Sequence, residues 1–109
     1  MRAHQIFVEL NGRADPARAR ILQGFFKTGP GEYGEGDVFL GITVPELRKI
    51  AKVYGQLPRS EIQKLLYSPI HEARVLALMI LVLHFLREDG RGQDSIYRFY
   101  LRLTARINN

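Results

Sequence analysis

Apolar residues recur along this chain at three- and four-residue intervals and nowhere alternate convincingly at every second position, a pattern that predicts helices and no sheet. Ile6, Phe7 and Leu10 mark a short first helix within residues 1–11. Asp15 followed by Pro16 reads as an N-cap and a first-turn proline. The helix they open carries Ala17, Ile21, Leu22, Phe25 and Phe26 on one side and is expected to end at Lys27. From Thr28 to Ile42 the helical rhythm stops. Gly29, Gly31, Gly34, Gly36 and Gly41, with Pro30, predict a loop, and Tyr33, Val38, Phe39, Leu40 and Ile42 predict that it is shaped rather than disordered.

Thr43 and Glu46 then form a Thr-x-x-Glu capping box. The helix beyond it turns Leu47, Ile50, Ala51 and Tyr54 inward, leaves Arg48, Lys49 and Lys52 on other faces, and stops at Gly55. Ser60 and Gln63 predict a second capping box ahead of a short helix with Ile62, Leu65 and Leu66. Ser68, with Pro69 at the first helical position, predicts the start of a helix running to about Glu88. That helix is apolar almost all round from Val75 and is therefore expected at the centre. Asp89, Gly90 and Gly92 form the next break, and a last helix from about Asp94 carries Ile96, Phe99, Tyr100, Leu103 and Ile107 as one stripe.

The expectation is a single all-α domain over residues 1–109. A compact bundle and a stack of HEAT-like antiparallel helix pairs (an α-solenoid, or α–α superhelix) both fit the pattern. The last stripe favours the stack. It is still apolar at Ile107, and Asn108 and Asn109 follow without a C-cap glycine or a polar capping helix, as if the chain continued. An uncovered stripe of that kind would expose apolar surface or bury it in a homodimer through the C-terminal helix.

Composition narrows the classes further. The 109 residues carry a formal net charge of +5, which favours a polyanionic partner. The absence of cysteine removes disulfides, thiolate ligands and cysteine nucleophiles, and fits a reducing cytosol. The longest apolar run, Val75 to Leu83 between Arg74 and His84, is far too short to cross a bilayer.

Few residues suggest chemistry. Gly29, Gly31 and Gly34 match a G-x-G-x-x-G spacing, but dinucleotide binding requires a strand before it and a helix opening within it. Here a helix precedes it, and Glu32 and Glu35 would repel a pyrophosphate. His71 and Glu72 lie in the first turn of the central helix without a third ligand at metal-binding spacing, and placement of an acid at a helix N-terminus accounts for Glu72. Glu32, Glu35 and Asp37 form an acidic cluster of the kind that is more often solvated than catalytic. No metal and no cofactor is expected. Arg98, Arg102 and Arg106, spaced i, i+4, i+8, form a basic stripe beside the last apolar face and are expected to be free of ion pairs within their helix. A row of this kind suits phosphates of duplex DNA, and Arg48, Lys49 and Lys52 extend it if the helices stack in register.

Three segments together are similar to a known family: Phe26-Lys27-Thr28-Gly29-Pro30-Gly31-Glu32-Tyr33-Gly34-Glu35-Gly36-Asp37; Phe39-Leu40-Gly41-Ile42 with Pro45 and Leu47-Arg48; and Ser68-Pro69-Ile70-His71-Glu72. They resemble the bacterial DNA alkylation repair proteins of the AlkD type, HEAT-like-repeat alkylpurine DNA glycosylases. The resemblance implies a solenoid whose concave basic face holds duplex DNA and whose enzyme removes purines made cationic by alkylation at N3 or N7. It implies a catalytic carboxylate flanked by tryptophans, acting on the sugar cation without metal. It also suggests Thr43 as a polar residue at the DNA-facing end of a helix. In the family a Trp-Asp-x-x-Asp-like segment follows the helix that here reaches Asn108, and this chain has no tryptophan and no aspartate after Asp94. The chain is therefore expected to supply DNA contacts as the N-terminal part of a glycosylase and to be inactive alone. The alternative is a non-catalytic helical-repeat module that binds DNA or protein.

Overall fold

The computed structural model describes residues 1–25 and 36–104. It is all-helical there, with α1 Ala3–Gly12, α2 Pro16–Phe25, α3 Val44–Val53, α4 Arg59–Leu66, α5 His71–Arg87 and α6 Gly90–Leu103. The only β-type pairing among these residues is an isolated bridge between Val38 and Ile70.

Helix α5 forms the centre, with α3, α4, α6 and α1 all packed on it. Its Ala73, Leu76, Ala77, Ile80 and Leu81 are buried against Leu47, Ile50 and Ala51 of α3, Ile62, Leu65 and Leu66 of α4, and Ile96, Phe99 and Leu103 of α6. Contacts at the helix ends fix the directions. Arg59 at the start of α4 shares a cleft with His84 and Arg87 at the end of α5, so α4 and α5 are antiparallel. Gln93 in α6 donates to the Phe85 carbonyl at 3.1 Å, so α6 turns back along α5. The end of α3 meets the end of α5, where the Gly55 carbonyl accepts from His84 Nε2 at 2.8 Å, so these two run parallel. Helix pairs laid side by side in this way are consistent with an α-solenoid.

The start of α3 is set by a carboxylate. Glu72, one residue into α5 and 1% exposed, accepts backbone N–H groups from Leu40 at 3.0 Å, Gly41 at 2.8 Å and Ile42 at 3.3 Å. Beside it Val38 pairs with the residues leading into α5, donating to the Pro69 carbonyl at 2.9 Å and accepting from His71 N at 2.8 Å. Arg74, 3% exposed, holds Asp37 at 2.8 Å and donates to the Ser68 carbonyl at 2.8 Å. Gly41 takes φ +85°, and a Cβ there would lie 2.7 Å from Ala19 N and also strike the Asp15 carbonyl oxygen, so α2 can seat on this loop only against a glycine. The Leu40 carbonyl accepts from Asp15 N at 2.7 Å, and the Gly41 carbonyl accepts from Arg18 at 2.9 Å.

Several expected boundaries move, each for a physical reason. Ser68 and Pro69 lie ahead of α5 rather than inside it, because Ile70 is held extended by the bridge to Val38; the Ser68 hydroxyl accepts from Ile70 N at 3.1 Å. The expected Ser60–Gln63 box is absent: α4 starts at Arg59, with Pro58 in the cap position and no side-chain cap. Helix α6 begins four residues early, because Asp89 accepts from Gly92 N at 2.9 Å and turns the expected break into a capped first turn. The α2 stripe is overturned at Ala17 and Ile21, which are exposed, while Leu22 is half-buried. Ile21 is 63% exposed and Ala19 is the buried residue, because α2 packs through the side that meets Gly41. The expected end of α2 at Lys27 and the glycine motif at 29–34 lie outside the described residues. Thr43 does cap α3, accepting from Glu46 N at 3.4 Å.

Replacing Glu72 by Gln keeps the shape but leaves a neutral amide where three N–H groups converge. A loss of about 2–4 kcal/mol is expected in urea unfolding. A loss below about 1 kcal/mol would show that the loop is held by its other bonds.

Candidate nucleic-acid interface

Helix α3 presents Arg48, Lys49 and Lys52 as exposed side chains, while Leu47, Ile50 and Ala51 anchor its opposite face. None of the three cations has an ion pair among the described residues. Arg48 and Lys52, one turn apart, line an apolar groove with Ala51 and with Met79, Val82 and Leu83 of α5. Thr43, half-buried at the start of the helix, is occupied as its cap.

The α6 cations are arranged differently. Arg98 is paired with Asp94 at 3.0 Å, both exposed, so the expectation that no member of this stripe is paired within its helix is overturned. Asp94 stands four residues before Arg98, the spacing at which a helix brings two side chains together. Arg102 lies 6.0 Å from the centre of the Phe99 ring, and Arg59 of α4 lies 5.8 Å from the same ring. Arg59 also donates to Ser95 at 2.8 Å. Arg102 thus sits toward α4, whereas Arg48 and Lys52 sit on the α3–α5 groove, and the structure does not bring these two groups into one groove. Arg106 lies outside the described residues, as do Glu32 and Glu35.

The last apolar stripe is largely covered: Ile96, Phe99 and Leu103 are buried, Tyr100 is half-buried, and Ile107 lies outside the described residues. Exposed apolar surface occurs instead on the other side of α6 and on α5.

Two features of the α5 entrance were missed by sequence reasoning. Glu72 is a first-turn acid, as expected, but also a buried acceptor for the loop, and Arg74, which flanks the apolar run, is also a buried partner of Asp37. The signal was present in the density of polar residues, His71, Glu72 and Arg74, leading directly into an apolar run. Asp37, held by Arg74, is committed to the fold. No group of three His, Asp or Glu side chains among the described residues is placed to hold a metal.

A comparison with protein families matches residues 6–109 to the family described as DNA alkylation repair enzyme. The chain belongs to that family. No curated protein and no solved structure gave a match. Membership of a DNA-repair family suggests an interaction with DNA, and no described helix is long and apolar enough to cross a membrane.

Two histidines lie near this framework. His71, its ring 4.6 Å from that of Phe39, has its pKa lowered, first by burial and then by Arg74, against the opposing pull of Glu72 and Asp37. His84 is lowered by burial and by Arg87 and Arg59, against its bond to the Gly55 carbonyl and Glu88. A histidine pKa below its ordinary 6.5 means that the unfolded chain takes up protons that the folded chain refuses. Stability is therefore full above that value and falls as pH drops below it. The urea midpoint is expected to decrease between about pH 7.5 and pH 5.5, and a His71→Gln/His84→Gln variant to show a flatter profile across that window. An unchanged profile in the variant would assign the pH dependence to other groups.

Proposed function

We propose that this chain is the DNA-gripping, N-terminal part of a glycosylase that removes N3- or N7-alkylated cationic purines from duplex DNA. The observation that carries the proposal is the α3 row. In a DNA alkylation repair family member, Arg48, Lys49 and Lys52 stand exposed and without ion pairs among the described residues, on a helix whose start is held rigidly by Glu72. An unpaired cation gives up no existing ion pair on meeting a phosphate and releases a counterion from the DNA. Arg98, Arg102 and Arg106 form a second and weaker group of contacts, since Arg98 must first leave Asp94 and Arg102 leaves an aromatic face. Thr43 acts through the helix it caps and at its DNA-facing end.

The glycosylase step needs a carboxylate beside the sugar to stabilise positive charge as the base departs. Among the described acids of the α5 entrance, Glu72 and Asp37 are consumed by structural bonds. Neither of these two acids is therefore the catalytic carboxylate, and in this reading the chain supplies binding and orientation while a carboxylate elsewhere does the chemistry. A non-catalytic module that binds DNA through the same row is the second reading, favoured by that commitment of the acids.

Fluorescent duplex titrations at several salt concentrations test the binding role. Replacing Arg48, Lys49 and Lys52 together by Ala is expected to reduce the slope of log affinity against log salt by about 2–3. The Arg98, Arg102 and Arg106 triple replacement is expected to reduce it less. An unchanged slope in the α3 variant would overturn the assignment. In parallel, incubation with DNA carrying 7-methylguanine is expected to release no base above the no-protein control; release above it would place the catalytic group within this chain.

A further inference from the structure

At the far end of α5 from Glu72, the start of α4 and the last turn of α5 enclose a polar cleft of about 450 Å³. Gln56 and Arg59 line it from the α4 side, and His84, Arg87 and Glu88 line it from α5. Two permanent positive charges and one titratable ring thus share a cleft with a single acid. Glu88 pairs with neither arginine, and neither has an ion pair among the described residues.

The groups that hold these side chains are neutral. Arg87 donates from Nε to the Leu83 carbonyl at 3.2 Å and from Nη2 to the Gly55 carbonyl. Arg59 donates from Nη1 to the Ser95 hydroxyl at 2.8 Å and lies 5.8 Å from the centre of the Phe99 ring. Carbonyl and hydroxyl oxygens fix the direction of a guanidinium without cancelling its charge, and with five N–H groups each arginine keeps donors in reserve. His84 is fixed in the same way, through Nε2 to the Gly55 carbonyl at 2.8 Å. Its pKa is lowered by burial first and then by Arg87 and Arg59, against that bond and Glu88. Both guanidinium charges therefore reach into the cleft. They repel each other there, and an anion between them removes that repulsion.

We propose that this cleft is a phosphate site, with Arg59 and Arg87 as its charged contacts. The planar fork of a guanidinium matches two phosphate oxygens at once. The position of the cleft favours phosphate, because it begins where the α3 row ends. Lys52 stands just ahead of Gly55, and Leu83, which lines the groove with Arg48 and Lys52, precedes His84 and accepts from Arg87. A strand whose phosphates meet Arg48 and Lys52 reaches the cleft next. A backbone phosphate of duplex DNA and a free or terminal phosphate share this chemistry, and the site rests on the α3 reading only for the first of these sources.

Two titrations of the full chain test it. Inorganic phosphate at constant ionic strength and pH 7.5, followed through the ¹H–¹⁵N shifts of the arginine Nε groups, is expected to move Arg59 and Arg87 together with millimolar affinity. Arg13 and Arg98, which already have acids, should not move. Glu88→Gln, at an exposed position, is expected to tighten phosphate about threefold by removing a like charge. In duplex titrations at several salt concentrations, Arg59→Ala with Arg87→Ala is expected to lower the slope of log affinity against log salt by about 1, the share of one phosphate. Phosphate shifts with a lowered slope identify the backbone of DNA as the source; phosphate shifts with an unchanged slope identify a free or terminal phosphate. An unchanged slope in the Arg48, Lys49 and Lys52 variant would overturn the α3 reading and leave this site standing. No shift of Arg59 or Arg87 up to about 50 mM phosphate would overturn the site, whatever the slope. So would equal shifts of all four arginines, or a Glu88→Gln protein that binds phosphate no more tightly.

Discussion

One buried carboxylate ties together the elements on which the rest of the structure depends. Glu72 enters the interior at the first turn of α5, the helix on which all the large contacts converge, and its two oxygens take up three consecutive backbone amides from the segment ahead of α3. A lone buried carboxylate would be costly. Here the charge is met by N–H groups and by the positive end of its own helix, and the same bonds satisfy amides that would otherwise be buried without partners. The loop is in turn the seat of α2, through Gly41. Two adjoining contacts, Arg74 with Asp37 and the bridge from Val38 to Ile70, fasten the approach to it. The entry of α5 thus fixes the start of α3 and the position of α2 together.

That arrangement bears on function through α3. A phosphate contact depends on where the cation stands and on what it must leave in order to bind. Helix α3 is fixed at its start by the loop and the Thr43 cap, and at its end by Gly55, whose carbonyl accepts from both His84 and Arg87. Between these points Arg48, Lys49 and Lys52 are presented from a rigid cylinder. On α6, by contrast, Arg98 is held by an acid and Arg102 by an aromatic ring. Spacing alone favours α6, with its regular i, i+4, i+8 row; the surroundings of each cation favour α3.

Much of the fold was legible in the sequence because amphipathic period is a local property. The central position of α5 followed from its nearly continuous apolar run, and the inward faces of α3 and α4 followed from spacing. Boundaries were read less well wherever a distant segment intervened. Ser68-Pro69 has the chemistry of a helix start, yet Val38, some thirty residues earlier, holds Ile70 extended and delays the helix. Ala17 and Ile21 look like core residues of α2, yet the packing side is chosen by the glycine that lets the backbones approach. Of the candidate site, the basic residues were legible and their grouping was not. The Asp94–Arg98 pair could have been found from spacing alone. The separation of the α3 and α6 cations depends on how the helices lie around α5. Glu72 was the largest omission, because a glutamate in a first turn has a sufficient local explanation, and only the packed loop shows that it serves three amides at once.

Native-state hydrogen exchange at Leu40, Gly41 and Ile42 tests the central role of Glu72 most directly. If the carboxylate holds this segment as an integral part of the core, these three amides exchange only through global unfolding. Their opening free energy then matches that of the slowest amides in α5. In the Glu72→Gln protein they should exchange far faster, while the middle of α5 remains protected up to its reduced stability. Rapid exchange of Leu40, Gly41 and Ile42 in the unaltered protein, at rates typical of surface loops, would contradict the account.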